Sequence, residues 1–235
     1  MTPTGDARSQ ILRAIRENLT RSASGPQPRG IAPGSAEPVA PTADPGPAAR
    51  GSKERGDVVS SFAERLAAVG AQCTVVRGES EAAGALAGIL SGAGARRVVG
   101  SDAPLVQRLL GPLRDRLEIA ALERLSRDDL FACDAGVTTA QWGIAETGTL
   151  VLESARELSR LLSLVPPIHV ALLSARCICD SLGEALARVR QPGGGVASHV
   201  ITFITGPSRT SDIELTLVMG VHGPQTVHVL LMEET

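Results

Sequence analysis

The chain has 235 residues and a formal net charge of −2 at pH 7. This length accommodates one sizeable α/β domain with a tail, and the charge argues against a general nucleic-acid binder, which needs clustered excess lysine and arginine. No apolar run approaches the roughly 18 residues of a membrane span, and the polar, charged N-terminus argues against a secretory signal peptide. We therefore expect a cytoplasmic protein that binds neither nucleic acid nor a membrane.

Residue usage also argues against several kinds of catalytic and metal chemistry. The only lysine, Lys53, lies in a flexible stretch, and there is no tyrosine, so neither a buried Schiff-base lysine nor a tyrosine acid is available. Four cysteines (Cys73, Cys133, Cys177 and Cys179) form no CxxC pair, whereas iron–sulfur clusters normally need four thiolates, commonly closely spaced. No HExxH or finger-like spacing indicates zinc. The sequence predicts buried thiols, no metal and no resident cofactor.

In chain order, the first element is a short helix predicted over residues 6–19, where apolar residues recur at helical spacing. Residues 21–56 are dense in Pro, Gly, Ser and Ala and hold hardly any large apolar residue. They cannot bury enough surface to offset their ordering entropy, so we predict a disordered linker. The predicted organisation is an N-terminal helix (1–20), a linker (21–56) and one folded domain (57–235).

Beyond residue 57, helical and extended segments alternate. Predicted helices cover 58–69, 81–90, 104–113, 128–132, 181–190 and 212–219, and predicted strands cover 73–76, 97–99, 117–121, 168–173, 200–205 and 227–231. Residues 136–153 are small and Thr-rich, which predicts a hairpin or loop insertion. Repeated strand–helix alternation implies parallel strands covered by helices. The predicted fold class is α/β, with an open, mainly parallel sheet flanked by helices and a hairpin insertion.

The segment 204–214 carries the sharpest local signal for a binding site. A buried-type strand runs through a Gly-Pro turn into a predicted helix, and helix N-termini beyond strand ends bind anions. Arg209 offers a planar fork suited to a carboxylate or phosphate. The candidate anion-binding residues are Gly206, Ser208, Arg209 and Thr210. An alternative is a capping box formed by Ser211 and Glu214, which needs no ligand.

A second candidate site lies in residues 142–149. Glu146 stands among small residues and precedes Gly148, which would let a substrate approach closely, so Glu146 could serve as nucleophile or general base. Thr147, Gly148 and Thr149 would then contribute to substrate or anion binding. A plain acidic residue in a hairpin turn is the alternative. For Trp142, the only tryptophan, core packing is favoured over a ligand platform.

The four histidines divide by position. His169 and His228 fall in predicted strands, where a hydrogen-bonded structural role is typical. His222 lies in a loop after a predicted helix, where a functional side chain is more plausible, and it joins the candidate binding residues. No role is assigned to His199.

Four strings, taken together and in order, resemble the lactate-utilization protein C family. They are residues 145–150 (AETGTL), 166–169 (PPIH), 203–214 (FITGPSRTSDIE) and 220–224 (GVHGP). Each string is weak alone, but the four span about 80 residues. The resemblance extends more loosely back to about residue 57, and the N-terminal helix also looks like that family's.

The resemblance implies a LUD domain, similar in fold to the ribose-phosphate isomerase and CoA-transferase group. It also implies participation in a three-protein system that oxidises L-lactate to pyruvate, whose other two members are iron–sulfur proteins. This chain would be an accessory subunit without a cluster, with a small organic anion as candidate ligand. A glutamate near a Gly-containing loop can be catalytic in the wider fold group, which by analogy supports Glu146.

Two other functions stay open at this point. One is an independent enzyme acting on a CoA-linked or phosphorylated acid, with Glu146 as nucleophile or base and Arg209 holding the anion. The other is a small-ligand sensor, which would need a pocket but no placed acid or base.

Overall fold

In the computed structural model, the described residues are 55–122, 125–157, 159–189, 198–211, 217–220 and 223–233. They all belong to the unit that runs from Ser52 to Thr235. The predicted N-terminal helix and nearly all of the predicted linker lie outside the described residues, so the proposed organisation of 1–56 stays a prediction.

The helices and strands follow the predicted alternation. The helices are α1 (Arg55–Ala68), α2 (Gly78–Gly92), α3 (Pro104–Leu110), α4 (Arg127–Phe131) and α5 (Leu182–Val189). The strands are β1 (Gln72–Arg77), β2 (Arg97–Gly100), β3 (Glu118–Ala120), β4 (Ala135–Thr139), β5 (Trp142–Ile144), β6 (Thr149–Glu153), β7 (Ile168–Ser174), β8 (Ile178–Cys179), β9 (Ile201–Ile204), β10 (Arg209–Ser211), β11 (Leu217–Met219) and β12 (Thr226–Glu233). Short 3₁₀ turns occupy Gly111–Leu113, Arg160–Ser163 and Ala175–Cys177.

The main sheet has six parallel strands in the order β1-β12-β7-β4-β2-β3. Its central strands are apolar on both faces, because both faces are covered. On β7, Val170 and Leu172 pack with residues of α2 and α3, whereas Ala171 and Leu173 pack with α1 and a second sheet. Each fully buried leucine of these cores stabilises the fold by about 2 kcal/mol. The predicted α/β class with a mainly parallel, helix-flanked sheet is confirmed.

The second sheet has four strands in the order β8-β5-β6-β9, and β5 and β6 form its antiparallel hairpin. It packs against the main sheet through Leu150 and Leu152, while its other face is covered by α5 through Ala185 and Val189. The hairpin insertion is therefore confirmed in part: β5 and β6 form it, but residues 135–139 belong to the main sheet.

The helix predicted over 212–219 is wrong at residues 217–219. Leu217–Met219 is strand β11, which pairs antiparallel with β10 (Arg209–Ser211), and residues 212–216 lie outside the described part. The sequence shows the reason. Polar Asp212, Glu214 and Thr216 alternate with apolar residues, and a period of two is typical of a strand.

Candidate functional site

The main sheet has a topological switch point between β2 and β4. These strands are neighbours, but the chain continues from β2 to β3 at one edge and from β4 towards β7 and β12 on the other side. Ligands of open α/β sheets bind beyond the carboxyl ends of the strands at such a point. We call the group formed here by Ser101, Thr139 and Glu157 the strand-end cluster.

Glu157 brings a buried carboxyl group to this cluster, from the turn that follows β6. It is 3% exposed, and its Oε1 accepts hydrogen bonds from the Thr139 backbone N–H (2.8 Å) and hydroxyl. Burial raises the pKa of the Glu157 carboxyl, and the nearby Asp102 raises it further, while hydrogen bonds from Thr139 and Ser101 oppose the shift. Glu157 is therefore a candidate acid in a desolvated position.

Ser101 comes directly after β2 and is fully buried. Its backbone is held on both sides, because its N–H donates to Val137 O (2.9 Å) and its carbonyl accepts from Gln107 Nε2 (2.6 Å). Ser101 Oγ and Glu157 Oε2 have no further hydrogen-bond partner among the described residues. Buried polar groups are normally paired, and the hydrogen bond between the Ser101 and Glu157 side chains serves both groups.

A second buried acid, Glu153, ends β6 and is fully engaged. Its Oε1 accepts from Trp142 Nε1 (3.1 Å) and its Oε2 accepts from the Ser198 hydroxyl (3.1 Å). Trp142 is half-buried, and the Arg188 guanidinium lies 5.1 Å from its ring centroid. Gln141 links the two acids, because its Nε2 donates to Thr139 Oγ1 (3.1 Å) and its Oε1 accepts from Glu153 N (2.6 Å). These contacts give Trp142 and Glu153 structural roles.

The candidate residues around Glu146 form the turn between β5 and β6. The Glu146 side chain is exposed, and its backbone N–H donates to Asp180 O (3.1 Å). Thr147 and Thr149 share a hydroxyl hydrogen bond of 2.7 Å, and Thr149 shares another of 2.7 Å with Thr205. The turn thus meets the loop after β9, so the structure brings two of the predicted segments together.

Two predicted site glycines are packed against α1 and the turn that follows it. Gly148 has φ +65°, and a Cβ there would lie 2.4 Å from Leu66 N. Gly206 has φ +78°, and a Cβ there would lie 2.5 Å from Val69 O. Both glycines are needed because the backbones approach closely at a positive φ. The space beside both glycines is occupied by backbone atoms of residues 65–69.

Arg209 acts as a cap for the end of α1. Its guanidinium donates to the carbonyl of Val69, one residue beyond the helix, and cations near helix C-termini satisfy orphan carbonyls and complement the dipole. The N-terminus of the predicted helix, at residue 212, lies outside the described residues and therefore gives no structural support for an anion site in this loop. An anion-binding role for Arg209 stays a prediction without that support.

We expect Arg209→Ala to lower the free energy of unfolding by about 1 kcal/mol, since one exposed charged hydrogen bond and a helix cap are lost. Urea denaturation of both proteins measures this. Arg114→Ala, at another exposed arginine, is the matched control and should leave the midpoint nearly unchanged. Equal midpoints for wild type and Arg209→Ala would contradict the capping role.

The other candidates of this loop have mostly backbone contacts. Ser208 N donates to Pro224 O (2.9 Å) and Ser208 O accepts from Gly220 N (2.8 Å), so 206–209 lies against the loop that follows β11. Thr210 lies in β10 and pairs with Val218. His222 is outside the described residues.

Two of the histidines have the structural positions expected of strand residues. His169 on β7 is fully buried, its Nε2 lies 2.9 Å from Thr138 Oγ1, and burial lowers the pKa of its imidazole to about 4. His228 on β12 is half-buried, and burial lowers its pKa as well. It lines an open groove of about 490 Å³ between α2 and the β1–β12 edge, where none of the lining residues is buried. The groove thus lacks the buried polar atoms of the strand-end cluster.

Sequence reasoning missed Ser101, Thr139 and Glu157. One usable signal was present, because Ser101 and Asp102 follow the buried run of β2 directly, the position at which ligand-binding loops begin in parallel sheets. Nothing local marked Glu157, whose flanking residues resemble a surface turn.

Metal and membrane features were also searched in the described part of the chain. It contains no group of three or more His, Cys, Asp or Glu residues that could hold a metal ion. None of its helices combines the length and apolarity of a membrane span.

These features define a parallel α/β protein with a second, four-stranded sheet and a buried acid at the strand ends. The chain belongs to the LUD domain family, because that family's model matches residues 59–232. It is 32% identical to lactate utilization protein C of Deinococcus radiodurans over 97% of both chains.

Other relatives align over shorter stretches. Lactate utilization protein C of Bacillus licheniformis is 37% identical over 42% of each chain, and a Neisseria meningitidis protein is 43% identical over 41% of each chain. The aligned part thus spans about two fifths of these relatives' length. A crystal structure of a DUF162 family protein from Deinococcus radiodurans superposes with a TM-score of 0.56 at 26% identity, covering 77% of this chain and all of that one.

Proposed function

We propose that this chain serves lactate utilization in the cytoplasm, as an accessory subunit of an iron–sulfur system that oxidises L-lactate to pyruvate. The observation that carries the proposal is the similarity to lactate utilization protein C of Deinococcus radiodurans, which runs over 97% of both chains. The iron–sulfur partners are inferred from the family resemblance of the four sequence strings.

The state of the cysteines supports placing the electron-carrying clusters on partner proteins. Burial raises the pKa of the Cys73 and Cys179 thiols to about 11, and it raises the pKa of the Cys133 thiol as well. Clusters are held by thiolates that are commonly closely spaced, and the four cysteines of this chain form no CxxC pair. The four cysteines are free.

A growth experiment tests the proposal. We expect a strain that lacks the gene to grow normally on succinate and to lose growth on L-lactate, and the restored gene to recover it. In purified form, the two iron–sulfur partners should reduce an electron acceptor with L-lactate only when this chain is present. Equal rates with and without the chain would remove the accessory role.

A second candidate function is an enzyme that acts on a CoA-linked or phosphorylated acid, with Glu146 as base and Arg209 as anion holder. One observation favours it: the loops that carry these residues both pack on the C-terminal end of α1, through Gly148 and Gly206. Calorimetry with phosphate, CoA, lactate and pyruvate tests it on the wild type and Arg209→Ala. Binding that disappears in the variant would support the enzyme hypothesis. Unchanged or absent binding would contradict an anion-binding role for Arg209 and leave the capping of α1 as its role.

A further inference from the structure

We propose that this chain forms a symmetric homodimer through the β1 edge of the main sheet. In this dimer, β1 of one copy pairs antiparallel with β1 of the other, and the outer faces of the two α2 helices meet above the paired strands. The proposal is independent of the role in lactate utilization.

The first step concerns the edge strand itself. Among the described residues, β1 pairs with a strand on one side only, which is β12, and its register with β12 is unbroken. Residues 72–76 (QCTVV) contain no charge and no proline, and Val75 is 43% exposed. Edge strands of monomeric proteins are usually protected by a charge, a proline or a bulge. The β1 edge is therefore typical of a strand that pairs with another chain.

The second step concerns the outer face of α2. Leu86 and Leu90 of this helix are buried, whereas Gly84, Gly88 and Gly92 are exposed. Nothing lies within 4 Å of a Cβ at any of these three glycines, so packing within the described chain does not require glycine there. Glycine destabilises a helix relative to alanine, and surface helices usually expose charged side chains, yet residues 82–95 carry no charge. Such a face allows the backbone of a second helix to approach closely.

The third step connects the strand with the helix face. The open groove of about 490 Å³ is lined by Gln72 and Thr74 of β1 and by Gly88 and Gly92 of α2. None of the residues that line this groove is Asp, Glu, Lys or Arg. The β1 edge and the glycines of α2 therefore belong to one continuous uncharged surface.

The fourth step concerns the occupant, for which a second copy fits the charge pattern. A partner that is recognised by its charges would find no opposite charge on this surface, whereas a second copy brings an equally uncharged one. A two-fold axis perpendicular to the sheet makes the two β1 strands antiparallel and places both α2 helices on the same face. In the register centred between Thr74 and Val75, Arg77 of one copy lies opposite Gln72 of the other, so no like charges face each other.

Analytical ultracentrifugation of the full chain tests the proposal. At micromolar concentrations we expect a species of twice the chain mass of 24.3 kDa. Gly88→Glu and Val75→Lys should each raise the Kd of the dimer at least about tenfold, because each places an unpaired charge in the interface. The space beside Gly88 is open, so Gly88→Glu should fold, with the circular dichroism spectrum of the wild type.

Gly56→Glu is the matched control. Gly56 is also exposed and helical, and nothing lies within 4 Å of a Cβ there, so this variant should dimerise as the wild type does. Amide hydrogen exchange adds a local readout: residues 72–76 should exchange more slowly in the wild type than in Gly88→Glu, while residues 168–173 should exchange alike in both. A monomeric wild type, or two interface variants that dimerise as tightly as the wild type, would overturn the proposal.

Discussion

Replacing Gly148 with alanine should lower the free energy of unfolding by about 3 kcal/mol. Two costs combine: alanine is strained at φ +65°, and its Cβ would meet the backbone of α1, 2.4 Å from Leu66 N and 2.6 Å from Arg65 C. A helix backbone cannot yield as the end of a flexible side chain can. Chemical denaturation followed by circular dichroism measures the loss.

The matched control is Gly94→Ala. Gly94 follows α2 with φ +67°, but nothing lies within 4 Å of a Cβ there, so only the conformational cost of about 1 kcal/mol applies. The difference between the two variants isolates the contact between the β5–β6 turn and α1. If Gly148→Ala is no less stable than Gly94→Ala, the turn does not pack on α1 as described.

The protein should lose about 3 kcal/mol of stability through His169 as the pH falls from 6.5 to 4. The folded-state pKa of this histidine is about 4, below the usual 6.5, because the imidazole is fully buried. As the pH falls, the His169 imidazole is therefore protonated in the unfolded chain before it is protonated in the folded protein. The stability that His169 contributes is complete above pH 6.5 and declines as the pH approaches 4.

Urea denaturation at a series of pH values checks this on the wild type and His169→Gln. The variant should lack this part of the acid-dependent decline, while His228, whose pKa is also lowered by burial, contributes equally to both proteins. His199→Gln, at an exposed histidine, is the control and should retain the wild-type slope. Parallel slopes for wild type and His169→Gln would show that His169 takes up its proton without unfolding the chain.

Much of the fold could be predicted because the local sequence pattern identifies most of its helices and strands. Apolar periodicity and terminal residues located α1 to α5 to within a few residues, and Gly70 at φ +85° follows the end of α1. The pairing of the strands was harder to predict than their positions in the sequence. β9 reads as another buried strand of the main sheet, yet it pairs antiparallel with β6 in the second sheet, because pairing depends on partners far away in sequence.

The candidate site shows the same limit more strongly. The turn residues Thr147, Gly148 and Thr149 were chosen for their composition, and their binding role stays a prediction; the structure brings Thr149 to Thr205. Glu157 could not be found, since its burial results from the loop after β6 folding over the ends of β2 and β4. The helix assigned to 212–219 was wrong at 217–219 for a local reason, because a two-residue alternation was interpreted as a helical one.

The position of β12 in the middle of the main sheet has a consequence for how the protein is made. β12 lies between β1 and β7, and Gln72 pairs with His228. During translation, β1 and the first helices emerge long before their central neighbour exists, so the nascent chain exposes an incomplete sheet until β12 has been synthesised. Pairings at such sequence separation fold slowly and are prone to aggregation, so the main sheet can close only after its last strand has been synthesised.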